Sequence, residues 1–172
     1  MAKQRKNNVL RLLEKRGIPY TAYTLPAEKL SARETARRLD VPPARVFKTI
    51  VVLRAGRGKP LLAVVAATQE VDLKAVAQAV GEKKVVLASQ REAERRTGLL
   101  AGGISPLALL GRGFTVLLDA SATDADFLHI SGGQRGLNLR LAVEDFIRLT
   151  GAQVANIGRP AADPGSPGGA AP

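Results

Sequence analysis

Two apolar runs, residues 46–53 and 61–68, stand on either side of Ala55-Gly-Arg-Gly58. Nothing else in the sequence restricts the fold as tightly. Both runs are rich in β-branched and aliphatic residues, and a glycine turn separates them, so they read as two strands of a hairpin. Helices and further short strands are expected around it. A first helix spans about 7–16, with Val9, Leu12 and Leu13 on one face and Gly17 ending it. Ser31-Ala-Arg-Glu34 and Ser89-Gln-Arg-Glu92 are capping boxes, in which a serine hydroxyl takes a free helix N–H and a glutamate reaches back. The first opens a helix that buries Ala32, Thr35, Ala36 and Leu39 and stops before Pro42-Pro43. Asp72 caps a helix to about Val80, and Val143 to Leu149 forms a last one. Further strands are expected at 85–87, 114–118, 127–130, 137–141 and near Val154. This irregular mixture predicts an α/β fold of the α+β type: a mixed, mainly antiparallel sheet or partly closed barrel surrounded by helices, not a doubly wound parallel sheet.

At 172 residues with 45% hydrophobic content, the chain suits one domain with a sizeable core. That domain is expected over 1–158. The remaining 159–172, composed largely of Pro, Gly, Ala and Ser, is expected to be a disordered tail. Aromatic residues are only 3%, so the core is aliphatic, and a binder that works mainly by stacking bases on rings is disfavoured. There is no cysteine, which excludes disulfides, thiolate metal sites and a cysteine nucleophile. The basic start, Met1 to Lys6, leads into Leu10, Leu12 and Leu13, but Arg11 and Glu14 interrupt them. Neither a signal peptide nor a membrane span fits, and a cytoplasmic protein is expected. A net charge of +11 attracts polyanions. The charge is scattered over 3–16, 33–38 and 91–96, which suggests a broad field more than a sequence-reading patch.

Three segments bear on chemistry. In Phe47-Lys48-Thr49, strand alternation puts Lys48 on one face with Ile50 and Val52, and Phe47 with Thr49 on the other. A lysine among aliphatics either meets an anion or snorkels to water. Gly102-Gly-Ile-Ser-Pro106 is either an ordinary loop or one whose exposed N–H groups hold a carbonyl oxygen or phosphate. Ser131-Gly-Gly-Gln-Arg-Gly136 is a second glycine loop, in which Arg135 offers a planar fork to phosphate or carboxylate. Its spacing matches neither a P-loop nor a dinucleotide fingerprint. His129 is the single histidine and lies two residues from Ser131, with no acid fixed by spacing, so a catalytic triad is disfavoured. Asp119, Asp124 and Asp126 read as solvated acids. No metal site is expected.

Taken in order, Val46-Phe-Lys-Thr-Ile50, Asp72-Leu-Lys74, Gly81-Glu-Lys-Lys-Val85, Thr97-Gly98, Gly102-Gly-Ile-Ser-Pro106 and Ile130-Ser-Gly-Gly-Gln-Arg-Gly-Leu137 resemble the YbaK/EbsC family. These are free-standing aminoacyl-tRNA deacylases related to the editing domain of bacterial prolyl-tRNA synthetase. The resemblance runs from about 5 to 157. It implies trans-editing, foremost release of cysteine from Cys-tRNA(Pro), with Cys-tRNA(Cys) as the alternative tRNA. The substrate's own sulfur would attack its ester. A water-using deacylase for Ala-tRNA(Pro) and a non-catalytic adaptor for tRNA or a synthetase are the rival readings. The resemblance makes Lys48, Gly103 and Ser131 the catalytic group. It assigns Thr49, Gly102, Ser105, Pro106, Gly132 and Arg135 to substrate binding. The implied partners are aminoacyl-tRNA and prolyl-tRNA synthetase, with no membrane, cofactor or metal. Leu25, Ser31 and Asn138 depart from the family's tyrosine, phenylalanine and aspartate.

Overall fold

The structure is a computed structural model and describes residues 6–162. Its centre is the expected hairpin, β2 (Phe47–Arg54) and β3 (Leu61–Ala66), in antiparallel register from Phe47 opposite Ala66 to Val52 opposite Leu61. Every residue of β3 is buried, so both of its faces need cover. The sheet around it has the order β5-β2-β3-β6-β9, with β5 (Val85–Leu87), β6 (Thr115–Asp119) and β9 (Gln153–Ala155). Pairing is antiparallel on the β2 side and parallel from β3 through β6 to β9. A second, antiparallel sheet joins β1 (Tyr20–Thr24), β8 (Leu137–Ala142) and β7 (Phe127–Ser131). A bridge from Val46 to His129 links the two sheets. Among the described residues no sheet closes into a barrel.

Alternation along β2 sorts its side chains as the sequence requires. Phe47 and Val51 enter one apolar cluster with Leu62, Val64, Leu128 and Phe146, while Val52 enters a second with Leu61, Val65 and Val76. The second sheet covers the first face, together with α1 (Asn8–Lys15) and α5 (Val143–Thr150). The other face is covered by α3 (Leu73–Val80) and Ile157. Each fully buried Leu or Val is worth about 1.5–3 kcal/mol relative to exposure. In α1 the buried residues are Val9, Leu10 and Leu13. These span a 100° arc at helical spacing, and Leu12 lies off its flank, so Leu10 takes the inward place expected of Leu12.

Both serines cap their helices as expected, but neither glutamate reaches back: Glu34 accepts from Arg37 and Arg38, and Glu92 from Arg95, so only the serine half of each box forms. Ser31 Oγ accepts from Glu34 N–H at 3.1 Å and opens α2 (Ala32–Leu39). Ser89 Oγ accepts from Glu92 N–H at 3.1 Å and opens α4 (Gln90–Thr97).

Asp119 is not a solvated acid. It is 3% exposed. One carboxylate oxygen accepts from the N–H groups of Ile157 and Gly158 at 3.0 and 2.8 Å. The other accepts from Gln69 Nε2 and Ser121 N–H at 2.9 and 3.1 Å. Burial would raise its pKa, but the hydrogen bonds from Ser121, Gln69 and Gly158 outweigh burial and leave it below the ordinary value. The clamp also explains a difference at the C-terminus. Arg159 and Pro160, assigned by composition to a tail, lie in β10 (Gly158–Pro160), which pairs with β4 (Gln69–Val71). Ala161 follows, its N–H donating to Thr68 C=O at 2.9 Å, and 163–172 lies outside the described residues.

Candidate active site

A gap along one edge of β2 creates the site. β5 pairs only with Val52–Arg54, and β7 bridges only Val46, the residue just before β2. Between them, the edge facing away from β3 has no strand partner among the described residues. On that edge Ala88 N–H donates to Val51 C=O at 3.0 Å. Main-chain direction alternates along a strand, so the N–H and C=O of Thr49 point the same way, into a cleft of about 550 Å³. Residues 46–51 form its floor. The segment between β1 and α2 and the first turn of α2 form one wall, with Leu25, Lys29, Ser31 and Arg33. The entry to α4 forms another, through Ala88, Gln90 and Ala93. Lys29 Nζ donates to Gln90 Oε1 at 2.6 Å and ties these walls together.

Lys48 lines this cleft and is partly buried. Among the described residues its ammonium has no hydrogen-bond or ion-pair partner. Burial lowers its pKa, and nearby Arg33 adds to that shift; Glu70 opposes them. The adjacent Thr49 Oγ1 is fully buried and has no hydrogen-bond partner. An unsatisfied buried hydroxyl costs about 1–3 kcal/mol, a cost that a ligand's polar group would remove. The floor of the cleft therefore carries a bare cation and free main-chain groups at its edge, with the unsatisfied Thr49 hydroxyl buried on the opposite face of β2 from Lys48.

The two glycine loops interlock behind this floor. A Cβ on Gly103 would lie 2.8 Å from Arg135 N and 2.8 Å from Gln134 C, so only glycine admits the second loop here. Arg135 Nε donates to Ala101 C=O at 2.7 Å, and Asn7 Nδ2 donates to Gly132 C=O at 2.9 Å. Lys48, Thr49, Gly102 and Ser131 line the cleft; Gly103, Ser105, Pro106, Gly132 and Arg135 do not. Gly103 is buried, and its N–H is spent on Leu100 C=O at 2.8 Å. Ser105 has no exposed surface, and its hydroxyl accepts from Leu107 N–H at 3.3 Å. Pro106 and Gly132 are buried as well, and Arg135 is turned to Ala101. These residues shape and support the cleft wall.

Ser131 Oγ accepts from Gly133 N–H at 3.2 Å. His129 shares a face of β7 with Ser131 but bonds elsewhere: its Nδ1 lies 3.3 Å from Asn138 Oδ1, and its ring is 5.5 Å from that of Tyr23. Burial lowers the pKa of His129, the bond to Asn138 opposes this, and Arg140 and Arg45 lower it further. No Ser131–His129 relay is built. Among the described residues, no group of three or more His, Cys, Asp or Glu side chains is placed to hold a metal ion.

The profile of the aminoacyl-tRNA editing domain family matches residues 27–149, which contain the cleft floor, both capped walls and both glycine loops. The chain belongs to this family. A relative from Enterococcus faecalis (strain ATCC 700802 / V583), EbsC, is 35% identical over 156 residues, covering 90% of this chain and 94% of that protein. Its name assigns it deacylation of Cys-tRNA(Pro) and Cys-tRNA(Cys). Two solved structures share the fold. The hypothetical protein APE2540 superposes with a TM-score of 0.81 at 22% identity, over 89% of this chain and all of that one. A protein described as a trans-editing enzyme for prolyl-tRNA synthetase superposes with a TM-score of 0.74 at 24% identity, over 90% and 99% of the two chains.

Within the editing-domain family, the positions where this sequence departs from the expected pattern gather in one place. Leu25, Ser31 and Asn138 all line the cleft. Sequence reasoning missed Lys29, Arg33 and Gln90 as cleft residues. The capping boxes were legible as helix starts. That the starts of α2 and α4 line the same cavity, through Ser31 and through Ala88 and Gln90, depends on how the chain folds back, and no spacing encodes it. No helix among the described residues is long and apolar enough to cross a membrane.

Proposed function

We propose that this chain is a free-standing editing enzyme that releases cysteine from Cys-tRNA(Pro) by cleaving the aminoacyl ester in the cleft over Lys48. One observation carries the reading. The cleft presents an unpaired cation and unsatisfied polar groups, yet no histidine–carboxylate relay faces it, and the protein has no cysteine. Such a site holds and polarises an ester without supplying an attacking group. The substrate's thiol then supplies it. Its sulfur bonds to the carbonyl carbon, the bond from that carbon to the ribose oxygen breaks, and the ribose oxygen leaves as a hydroxyl carrying the proton the thiol gives up. The products are a cyclic thioester, which water opens to cysteine, and free tRNA.

Lys48 and the main chain of Thr49 stabilise charge on the carbonyl oxygen as it develops, and the cleft walls hold sulfur and carbonyl in reach. Removing one such stabilising contact typically costs about 100-fold or more in turnover. Editing is needed because a synthetase pocket gains only about 1–3 kcal/mol from a methylene-sized difference, so small amino acids are mischarged. Cys-tRNA(Cys) fits the same chemistry, because the ester and thiol are identical. Association with prolyl-tRNA synthetase would bring the enzyme to its substrate.

The unpartnered Thr49 hydroxyl favours a second reading, release of alanine from Ala-tRNA(Pro), since it can hold a water in place of the sulfur. Charging one tRNA with cysteine and with serine separates the two. Thiol-assisted cleavage predicts fast release of cysteine and slow release of serine, whereas equal rates remove the sulfur from the mechanism. An adaptor would protect both esters.

A further inference from the structure

The arginines of α2 divide into two kinds. Arg37 and Arg38 lie in its last turn, where a cation suits the helix dipole, and both pair with Glu34, at 2.7 and 2.9 Å. Arg33 lies in the first turn, two residues after the Ser31 cap, where a cation opposes the dipole. Among the described residues it has no carboxylate partner. It lines the cleft, and its charge is felt at Lys48. Lys29 lines the same wall. The one glutamate of α2 thus serves its last turn and leaves a third arginine unpaired, in the turn that disfavours it, beside Lys29, which is hydrogen-bonded to Gln90 but has no carboxylate partner among the described residues. The Thr49 hydroxyl, buried without a partner in the same cavity, independently marks a place where a ligand's polar atoms belong.

We infer that Arg33, supported by Lys29, forms a phosphate-binding subsite in the wall of the cleft, taking a phosphodiester of the acceptor strand next to the aminoacylated nucleotide. This deepens the deacylase reading and rests on it for the identity of the nucleic acid. Arginine suits the task, because its planar fork grips two phosphate oxygens at once. With the phosphodiester held at Arg33, Lys48 is left for the ester. Arg91 supplies an internal control. It occupies the same place in α4, two residues after the Ser89 cap, and is exposed, but it does not line the cleft.

The test uses the full chain and two probes that need no turnover: the trinucleotide CCA, which carries phosphodiesters, and adenosine, which carries none. Arg33→Ala is expected to weaken CCA binding about tenfold, leave adenosine binding unchanged, and reduce the salt slope of CCA binding by about 0.7, the value for one phosphate contact on a single strand. Arg33→Lys should retain part of the CCA affinity. Arg91→Ala should stay within about twofold of the parent, the range expected of a rim charge acting only through the general field. Thermal stability of Arg33→Ala should equal or exceed that of the parent, since a cation leaves the first turn, so weak binding cannot be put down to misfolding. The inference is overturned if Arg33→Ala binds CCA as the parent does, if Arg91→Ala loses as much, or if adenosine binding falls in step. Failure of the deacylase reading looks different: the parent would bind CCA through Arg33 yet release no amino acid from any charged tRNA.

Discussion

At the scale of single residues, Lys48 is held at a cost to the fold. Its pKa is lowered in the folded state, so between that lowered value and the ordinary lysine range the unfolded chain binds the extra proton. Stability should therefore rise with pH through that window. Replacing Lys48 by Met should raise stability at neutral pH and flatten the rise, as read by urea unfolding from pH 7 to 10. A slope unchanged by the substitution would place the effect elsewhere. Asp119 carries the opposite sign. Its folded pKa is lowered, so its contribution is fully present above the ordinary aspartate value and is lost as pH falls through the folded one. Asp119→Ala should cost about 3 kcal/mol or more at neutral pH, since hydrogen bonds to a charged group are worth about 1.5–3 kcal/mol. That deficit should shrink in acid. Gly103 is constrained from behind. Gly103→Ala brings a methyl within 2.8 Å of the main chain of the second loop. The expected result is a loss of about 1–3 kcal/mol, as for other overpacked sites, together with slower turnover.

At the scale of elements, the hairpin, the five helices of the described residues and their serine caps were legible because each is written in local periodicity and local side-chain chemistry. The motif Phe47-Lys48-Thr49 was legible for the same reason: alternation alone separates Lys48 from Phe47. Long-range pairing was not. β4 and β10 are three residues each, and what joins them is a carboxylate on a third strand, 38 residues before Ile157. The glycine loops were visible as loops, but their roles were not. Gly103 was expected to give its N–H to a ligand, and it gives it to Leu100. What makes glycine necessary there is the approach of residues 134–135, which only the folded chain reveals. Arg45 shows the same limit. Its guanidinium donates to the carbonyls of Ser121, Ala122 and Phe127 and so pins the connection between β6 and β7. Arg45→Met leaves those carbonyls without their donor. Hydrogen exchange should then quicken across 120–127 before the core of β3 responds.

At the scale of the whole molecule, charge and cleft divide the work. A net charge of +11 draws in a polyanion from any direction, while under the proposed function the cleft decides what is cleaved. Binding of uncharged tRNA should therefore weaken steeply with salt, whereas discrimination between amino acids on one tRNA should barely change. The cleft sits where two sheets meet and where β2 lacks a neighbour, so the architecture that builds the core also leaves the free edge on which the proposed ester site rests. The most direct test is single-turnover deacylation of Cys-tRNA(Pro) by the parent chain and by Lys48→Ala, with circular dichroism to confirm that both are folded. The account predicts rapid release of cysteine by the parent and a loss of about 100-fold or more in the variant, the scale of one missing transition-state contact. A folded Lys48→Ala variant that releases cysteine at the parent rate would contradict it.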